Sequence, residues 1–160
     1  MRQSKVCGGL LLLWLISCTG YRDSMLQLVD RQLTLSARQY EALAAATVDS
    51  VNLPRTVTPD GKLVFAPPRW WTSGFIPGSL WQLYEYDHNA LRLEMARRFT
   101  GKVEKEQYNT STHDLGFMLY CSFGNGYRLL NEARYRDVLL TGARSLISRF
   151  NPLIGCIQSW

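Results

Sequence analysis

The chain has 160 residues, 46% of them hydrophobic and 19% charged, with a formal net charge of +5. That length and apolar share suit one globular domain and exclude a low-hydrophobicity, highly charged disordered chain. The 18 lysines and arginines are dispersed without a run, which argues against a nucleic-acid partner and leaves a mild preference for anionic ligands.

Arg2 and Lys5 precede an apolar run from Val6 to Ile16 that is too short to span a bilayer, so residues 1–17 read as a secretory signal. The tetrapeptide Leu15-Ile16-Ser17-Cys18 looks like a bacterial lipoprotein site. It predicts cleavage before Cys18, acylation of its thiol, membrane attachment only through that anchor, and a periplasmic location at the outer membrane. Loss of Arg2 and Lys5 lowers the formal charge by two, to +3. Cys121 and Cys156 then remain, expected as buried free thiols. No CxxC or His/Cys cluster has ligand spacing, so neither a metal nor a cofactor is indicated.

From Ser24 to about Thr47, Leu26, Val29, Leu33, Ala37, Tyr40, Leu43 and Ala44 recur at three and four, the period of an amphipathic helix. The segment from Asn52 to Trp70 carries four prolines and Asp60-Gly61, which no helix tolerates; Pro59-Asp60-Gly61 reads as a turn between short extended pieces. In Trp71-Thr72-Ser73-Gly74-Phe75-Ile76-Pro77-Gly78, Thr72 or Ser73 is the expected cap of a helix, and Pro77 sits where its missing amide costs little. That helix, through Leu80, Trp81, Leu83, Tyr84 and Tyr86, is apolar nearly all round and should be buried on most sides.

Asp87-His88-Asn89 forms a short connection, after which Leu91, Met95, Phe99 and Val103 mark one apolar stripe. Asn109 to Phe117 reads as a second helix entrance, with Ser111 or Thr112 as cap and Asp114 in a first turn whose dipole favours a carboxylate. The helix expected from Leu115 to Leu130 is again nearly all apolar, and Gly116, Gly124 and Gly126 within it point to close packing. Asn131 is the expected cap of a last amphipathic helix carrying Tyr135, Val138, Leu139, Ala143, Leu146 and Phe150, and Gly155 to Trp160 reads as a loop.

Amphipathic and apolar helices thus alternate, as two concentric layers of helical hairpins would give. Trp71 and Asp114 are 43 positions apart and Asp114 and Trp160 are 46 apart. Both intervals fit a hairpin period of about 40–47 residues. Three loops therefore arrive at one end of an inner ring, with Trp71, His113, Asp114 and Trp160 as the candidate site. Indole faces stack on the C–H face of a sugar ring while the His and Asp bond its hydroxyls. Helix N-termini there would attract an anionic group such as a uronate.

Trp71-Thr72-Ser73-Gly74-Phe75, Leu80-Trp81, Tyr84-Glu85-Tyr86, His113-Asp114-Leu115-Gly116-Phe117 and Gly155-Cys156-Ile157-Gln158-Ser159-Trp160 together closely resemble the unsaturated glucuronyl hydrolases of glycoside hydrolase family 88. The resemblance covers about Leu53 to Trp160. It implies an all-α, (α/α)6 barrel that removes the unsaturated uronic acid from the non-reducing end of oligosaccharides made by polysaccharide lyases. In such enzymes a carboxylic acid protonates C4 of the vinyl ether, water adds at C5, and the resulting hemiketal collapses. By the same match Asp114 corresponds to one of two key aspartates, His113 contacts the unsaturated ring, Trp71 stacks on it, and Trp160 lies toward the next sugar. The family's main proton donor falls beyond the last loop seen here. Residues 24–160 are therefore expected to be the N-terminal part of the barrel domain, inactive on its own. An unsaturated rhamnogalacturonyl hydrolase of the same fold, or a non-catalytic glycan-binding helical lipoprotein, fits the same residues.

Overall fold

The computed structural model describes residues 6–47 and 49–159, with side chains described from residue 24 onward. Cys18, the expected lipid site, and Trp160, the expected contact to a second sugar, lie outside the described side chains. Contacts divide the chain after Gln39. The first unit holds the greater part of helix α1 (Val6–Ala46), along which Leu26 and Val29 of the expected stripe are exposed. Ala37 of the same stripe is buried, and none of the described helices is long and apolar enough to cross a membrane.

The second unit, from Tyr40 on, contains the remaining elements. Here Ala44 near the end of α1 and Thr47 just past it are buried, and carbonyls at and beyond this helix end accept from α3 (Ala90–Val103): Arg98 donates to Ala44 and Lys102 to Thr47 and Ser50. Cations suit the negative end of a helix. Burial and the neighbouring Arg98 hold the Lys102 ammonium below its ordinary pKa. The proline-rich segment forms an antiparallel hairpin of β1 (Leu53–Val57) and β2 (Leu63–Ala66), turned at Gly61 with φ 85°.

Helix α2 (Phe75–Asp87) buries Pro77, Gly78, Leu80, Trp81 and Leu83. Neither Thr72 nor Ser73 caps it. A 3-10 turn over Trp71–Gly74 leads into the helix instead, and the Ser73 hydroxyl is buried with no acceptor among the described residues. His88 ends α2 in the left-handed region and Asn89 caps α3 through its bond from the Leu91 amide at 2.9 Å. A connection this short makes α2 and α3 antiparallel neighbours. Trp81, fully buried, donates its indole N–H to Thr100 at 2.9 Å across that hairpin. Met95, Phe99 and Val103 bury the α3 stripe, while Leu91 in the first turn stays exposed.

The second inner helix departs from the expected single α-helix. Gly116–Gly124 is a π-helix, continued by α4 (Asn125–Leu130). Its wider turn buries the pairs Met118-Leu119 and Ser122-Phe123, four apart, and leaves Phe117 and Tyr120 exposed. Asn131 does not cap the next helix; at φ 53° it terminates α4, and α5 (Ala133–Ile147) starts at Glu132 without a side-chain cap. The last helix also ends before Phe150, which belongs with Asn151 to β3, paired with β4 (Cys156–Ile157) in a small hairpin where a loop was expected. Tyr135 and Val138 join Leu80, Trp81, Phe99, Met118 and Phe123 in one core. Each fully buried large side chain contributes roughly 1.5–3 kcal/mol.

The two inner helices run side by side in a constant register. A Cβ built on Gly74 would overlap the carbonyl oxygens of Phe117 and Met118, and one on Gly78 would lie 3.0 Å from the Cys121 oxygen. Further along, Gln82 donates to Asn125 at 3.2 Å and Arg128 pairs with both oxygens of Glu85 at 2.6 Å. Gln82–Asn125 and Glu85–Arg128 are each 43 positions apart, as are Gly74–Phe117 and Gly78–Cys121. Gly126 is also tightly packed, under the Tyr135 and Trp81 rings, but Gly116 is not: a Cβ there meets nothing within 4 Å, because its turn faces open space.

Gly74→Ala is expected to cost at least about 3 kcal/mol, since backbone must move, whereas Gly116→Ala gains up to about 1 kcal/mol of helix propensity. Urea denaturation of the two variants checks the contrast.

Cys121 and Cys156 are both free, as expected, but Cys156 is exposed and only Cys121 is partly buried. Burial pushes the Cys121 thiol above its ordinary pKa. The native state therefore favours the protonated thiol, and its contribution to stability is lost as the pH rises through the ordinary thiol range, where the unfolded chain ionises first. Mass-mapped alkylation at mildly alkaline pH should label Cys156 first and Cys121 only slowly; equal rates would refute this burial.

Candidate active site

The register of 43 sets Trp71, at the start of the first inner helix, level with Asp114, at the start of the second. Asp114 lies at the helix threshold: its carbonyl accepts from the Phe117 and Met118 amides at 2.9 and 3.2 Å. Its own amide donates to Thr112 Oγ1 at 3.1 Å, and that hydroxyl reaches back to the Asp114 carboxylate at 3.2 Å. Ser111 has a different task, donating both its amide and its hydroxyl to Asn109 Oδ1 at 2.9 and 2.7 Å. The Asn109 amide group in turn bonds Glu106 at 2.8 Å. The segment is thus stitched residue by residue.

His113 Nε2 is 3.2 Å from Asp114 Oδ1, and both side chains are partly exposed, at 24% and 17%. An imidazole and a carboxylate so placed at a helix N-terminus can exchange a proton with a ligand while the helix dipole favours the carboxylate or a bound anion. Of the paired tryptophans, Trp70 lies under the Arg55 guanidinium, 4.3 Å from its ring, on the hairpin side. Trp71 joins Phe75 and Phe117 in a triangle of edge-to-face rings with centroids 5.6–6.0 Å apart. All three rings keep 40–50% exposure, so the cluster presents a rigid aromatic surface beside the acid.

Trp71, His113 and Asp114 are therefore gathered at one end of the inner helices. Phe75 and Phe117 were not foreseen in that surface. Their signal was present in the sequence: Phe75 stands one helical turn after Trp71, and Phe117 one turn after Asp114. His88 is at the other end of α2, as the sequence reading placed it.

No family model matches the chain. An unsaturated glucuronyl hydrolase of Formosa agariphila is 33% identical over 136 residues, covering 84% of this chain and 34% of that protein. An unsaturated chondroitin disaccharide hydrolase of Streptococcus pneumoniae is 33% identical over 94 residues, 56% of this chain and 24% of that one. A crystal structure of an unsaturated glucuronyl hydrolase described as specific for heparin superposes with a TM-score of 0.70 at 42% identity, over 82% of this chain and 36% of that structure. Over most of its own length the chain is homologous to the unsaturated glucuronyl hydrolase family. Its fold is the helical-hairpin architecture of the family's (α/α)6 barrel, with α2 and the π-helix/α4 pair as inner members. The chain spans about a third of the length of the family members it matches.

Thr112→Val should lose the acceptor for the Asp114 amide, cost about 1 kcal/mol and lower the melting temperature by roughly 2–4 °C, whereas Thr112→Ser should melt as the parent does. Calorimetry of both variants separates the hydroxyl from the methyl.

Proposed function

We propose that this chain forms part of a glycoside hydrolase that removes the 4,5-unsaturated uronic acid from the non-reducing end of lyase-generated oligosaccharides. The observation that carries the reading is the level placement of Trp71 and the His113–Asp114 pair at the start of two parallel inner helices. On this reading the Trp71 indole stacks on the unsaturated ring, and His113 and Asp114 hydrogen-bond its hydroxyls. Asp114 also steadies the group that delivers the proton.

Hydration of the vinyl ether fits these parts better than displacement at the anomeric carbon. C4 gains a proton from a carboxylic acid, and water, losing a proton, bonds to C5. The hemiketal opens and expels the next sugar as an alcohol. We infer that the proton donor is a second carboxyl group from the family length this chain does not span, so that residues 1–160 alone are inactive. The heparin-specific relative at 42% identity makes an unsaturated heparin disaccharide the first substrate to test. Export with a lipid on Cys18, and Trp160 toward the second sugar, belong to the same proposal.

With protein expressed from the complete reading frame, the ultraviolet absorbance of the conjugated double bond should decay on adding an unsaturated disaccharide. Asp114→Asn should slow that decay by about 10²–10⁴-fold. An undiminished rate would remove Asp114 from the mechanism, and binding of the sugar with the double bond left intact would favour a non-catalytic glycan-binding protein.

A further inference from the structure

Arg149 stands two residues past the end of α5, where its carbonyl accepts from the Gln158 amide at 3.0 Å and closes the β3–β4 hairpin. Its guanidinium is spent on backbone oxygens. Nε donates to Gln158 at 3.1 Å, one terminal nitrogen to Ser159 at 3.0 Å, and the other to Thr110 at 3.1 Å. Thr110 is 39 positions away, inside the segment that ends at Asp114. A planar fork of five N–H groups can hold three oxygens on two chain segments at once; an ammonium on a flexible stem cannot reproduce that geometry.

From Thr110 to Asp114 there is little slack. Asn109 holds Ser111, Thr112 holds Asp114 at both its amide and its carboxylate, and just upstream Ser145 of α5 donates to the Gln107 carbonyl at 2.6 Å. Fixing the Thr110 carbonyl therefore fixes where the Asp114 carboxylate sits above the π-helix.

We propose that Arg149 is a positioning residue: it clamps the Asn109–Asp114 segment to the C-terminal hairpin and so sets the Asp114 carboxylate for turnover. The functional half of this statement rests on the reading of Asp114 given above; the structural half does not. Arg149 acts through the backbone of the segment and touches no substrate.

The test compares Arg149→Met and Arg149→Lys with wild type, in protein expressed from the complete reading frame, by hydrogen–deuterium exchange and by turnover of an unsaturated disaccharide. In Arg149→Met, deuterium uptake should rise together in residues 109–114 and 155–159 and stay unchanged in α2. There kcat should fall by about 10–100-fold with KM within about threefold, and Arg149→Lys should fall between it and wild type. Unchanged uptake at 109–114, or a kcat equal to wild type, overturns the proposal. Should the Met variant not fold, the same two readouts on the Lys variant decide. If wild type leaves the double bond intact, the hydrolase reading fails, and uptake at 109–114 alone decides whether the clamp exists.

Discussion

Two parallel helices can lie this close only because their contact points lack side chains. Gly74 and Gly78 let the backbone of the first inner helix rest on the carbonyls of Phe117, Met118 and Cys121. Helix pairs with ordinary side chains at the contact keep about 8–10 Å between axes, and a slip of one residue would press Ser73 or Phe75 onto those carbonyls. Polar pairs farther along, Gln82 with Asn125 and Glu85 with Arg128, repeat the same offset. The exposed Arg128–Glu85 pair adds little stability, although it holds the Glu85 carboxyl below its usual range. Its contribution is register, which steric overlap at Gly74 already demands.

Once that offset is set, the chemistry at the shared end follows from helix geometry. Both inner helices begin there, so their free amides and positive dipole ends face the same side. The Asp114 carboxylate is tied by the Thr112 hydroxyl below and flanked by His113, while Phe117, one turn on, carries the aromatic surface up to Trp71. The π-helix matters to this. By burying Met118-Leu119 and Ser122-Phe123 as pairs, it leaves Phe117 on the exposed side above the acid.

Much of this was legible in the sequence because it depends on periodicity. The three-four spacing of Met95, Phe99 and Val103 marked the face of α3, the Pro59-Asp60-Gly61 turn marked the β1–β2 hairpin, and the interval from Trp71 to Asp114 matched the offset between the inner helices. What periodicity could not supply was local competition among hydrogen bonds. Thr72 and Ser73 look like caps, yet the 3-10 turn satisfies the amides itself and buries Ser73. Asn131 looks like a helix start but serves as a left-handed stop, a role its short amide side chain fits equally well. The π-helix has no composition of its own to read. Arg149 was invisible for a different reason: its acceptors are backbone oxygens, which every residue has, so no residue type announces the contact.

An apolar space beside the second inner helix illustrates why chemistry, not volume, locates the candidate site. A cavity of about 320 Å³ lies between the π-helix and α5, lined by residues such as Leu115, Leu119, Leu139 and Leu146. Neither His113 nor Asp114 lines it. A sugar ring placed there would strip its hydroxyls of water without returning hydrogen bonds, at a cost of about 1–3 kcal/mol for each, and a uronate carboxylate would lose far more. The aromatic triangle beside His113 and Asp114 would ask for no such sacrifice of the substrate proposed above, since an apolar ring face can lie on Trp71 while hydroxyls bond the stitched loop. An apolar space of this kind suits another helix, not a carbohydrate. The proposed function accordingly places its substrate at the helix starts, where apolar surface and hydrogen-bonding groups adjoin.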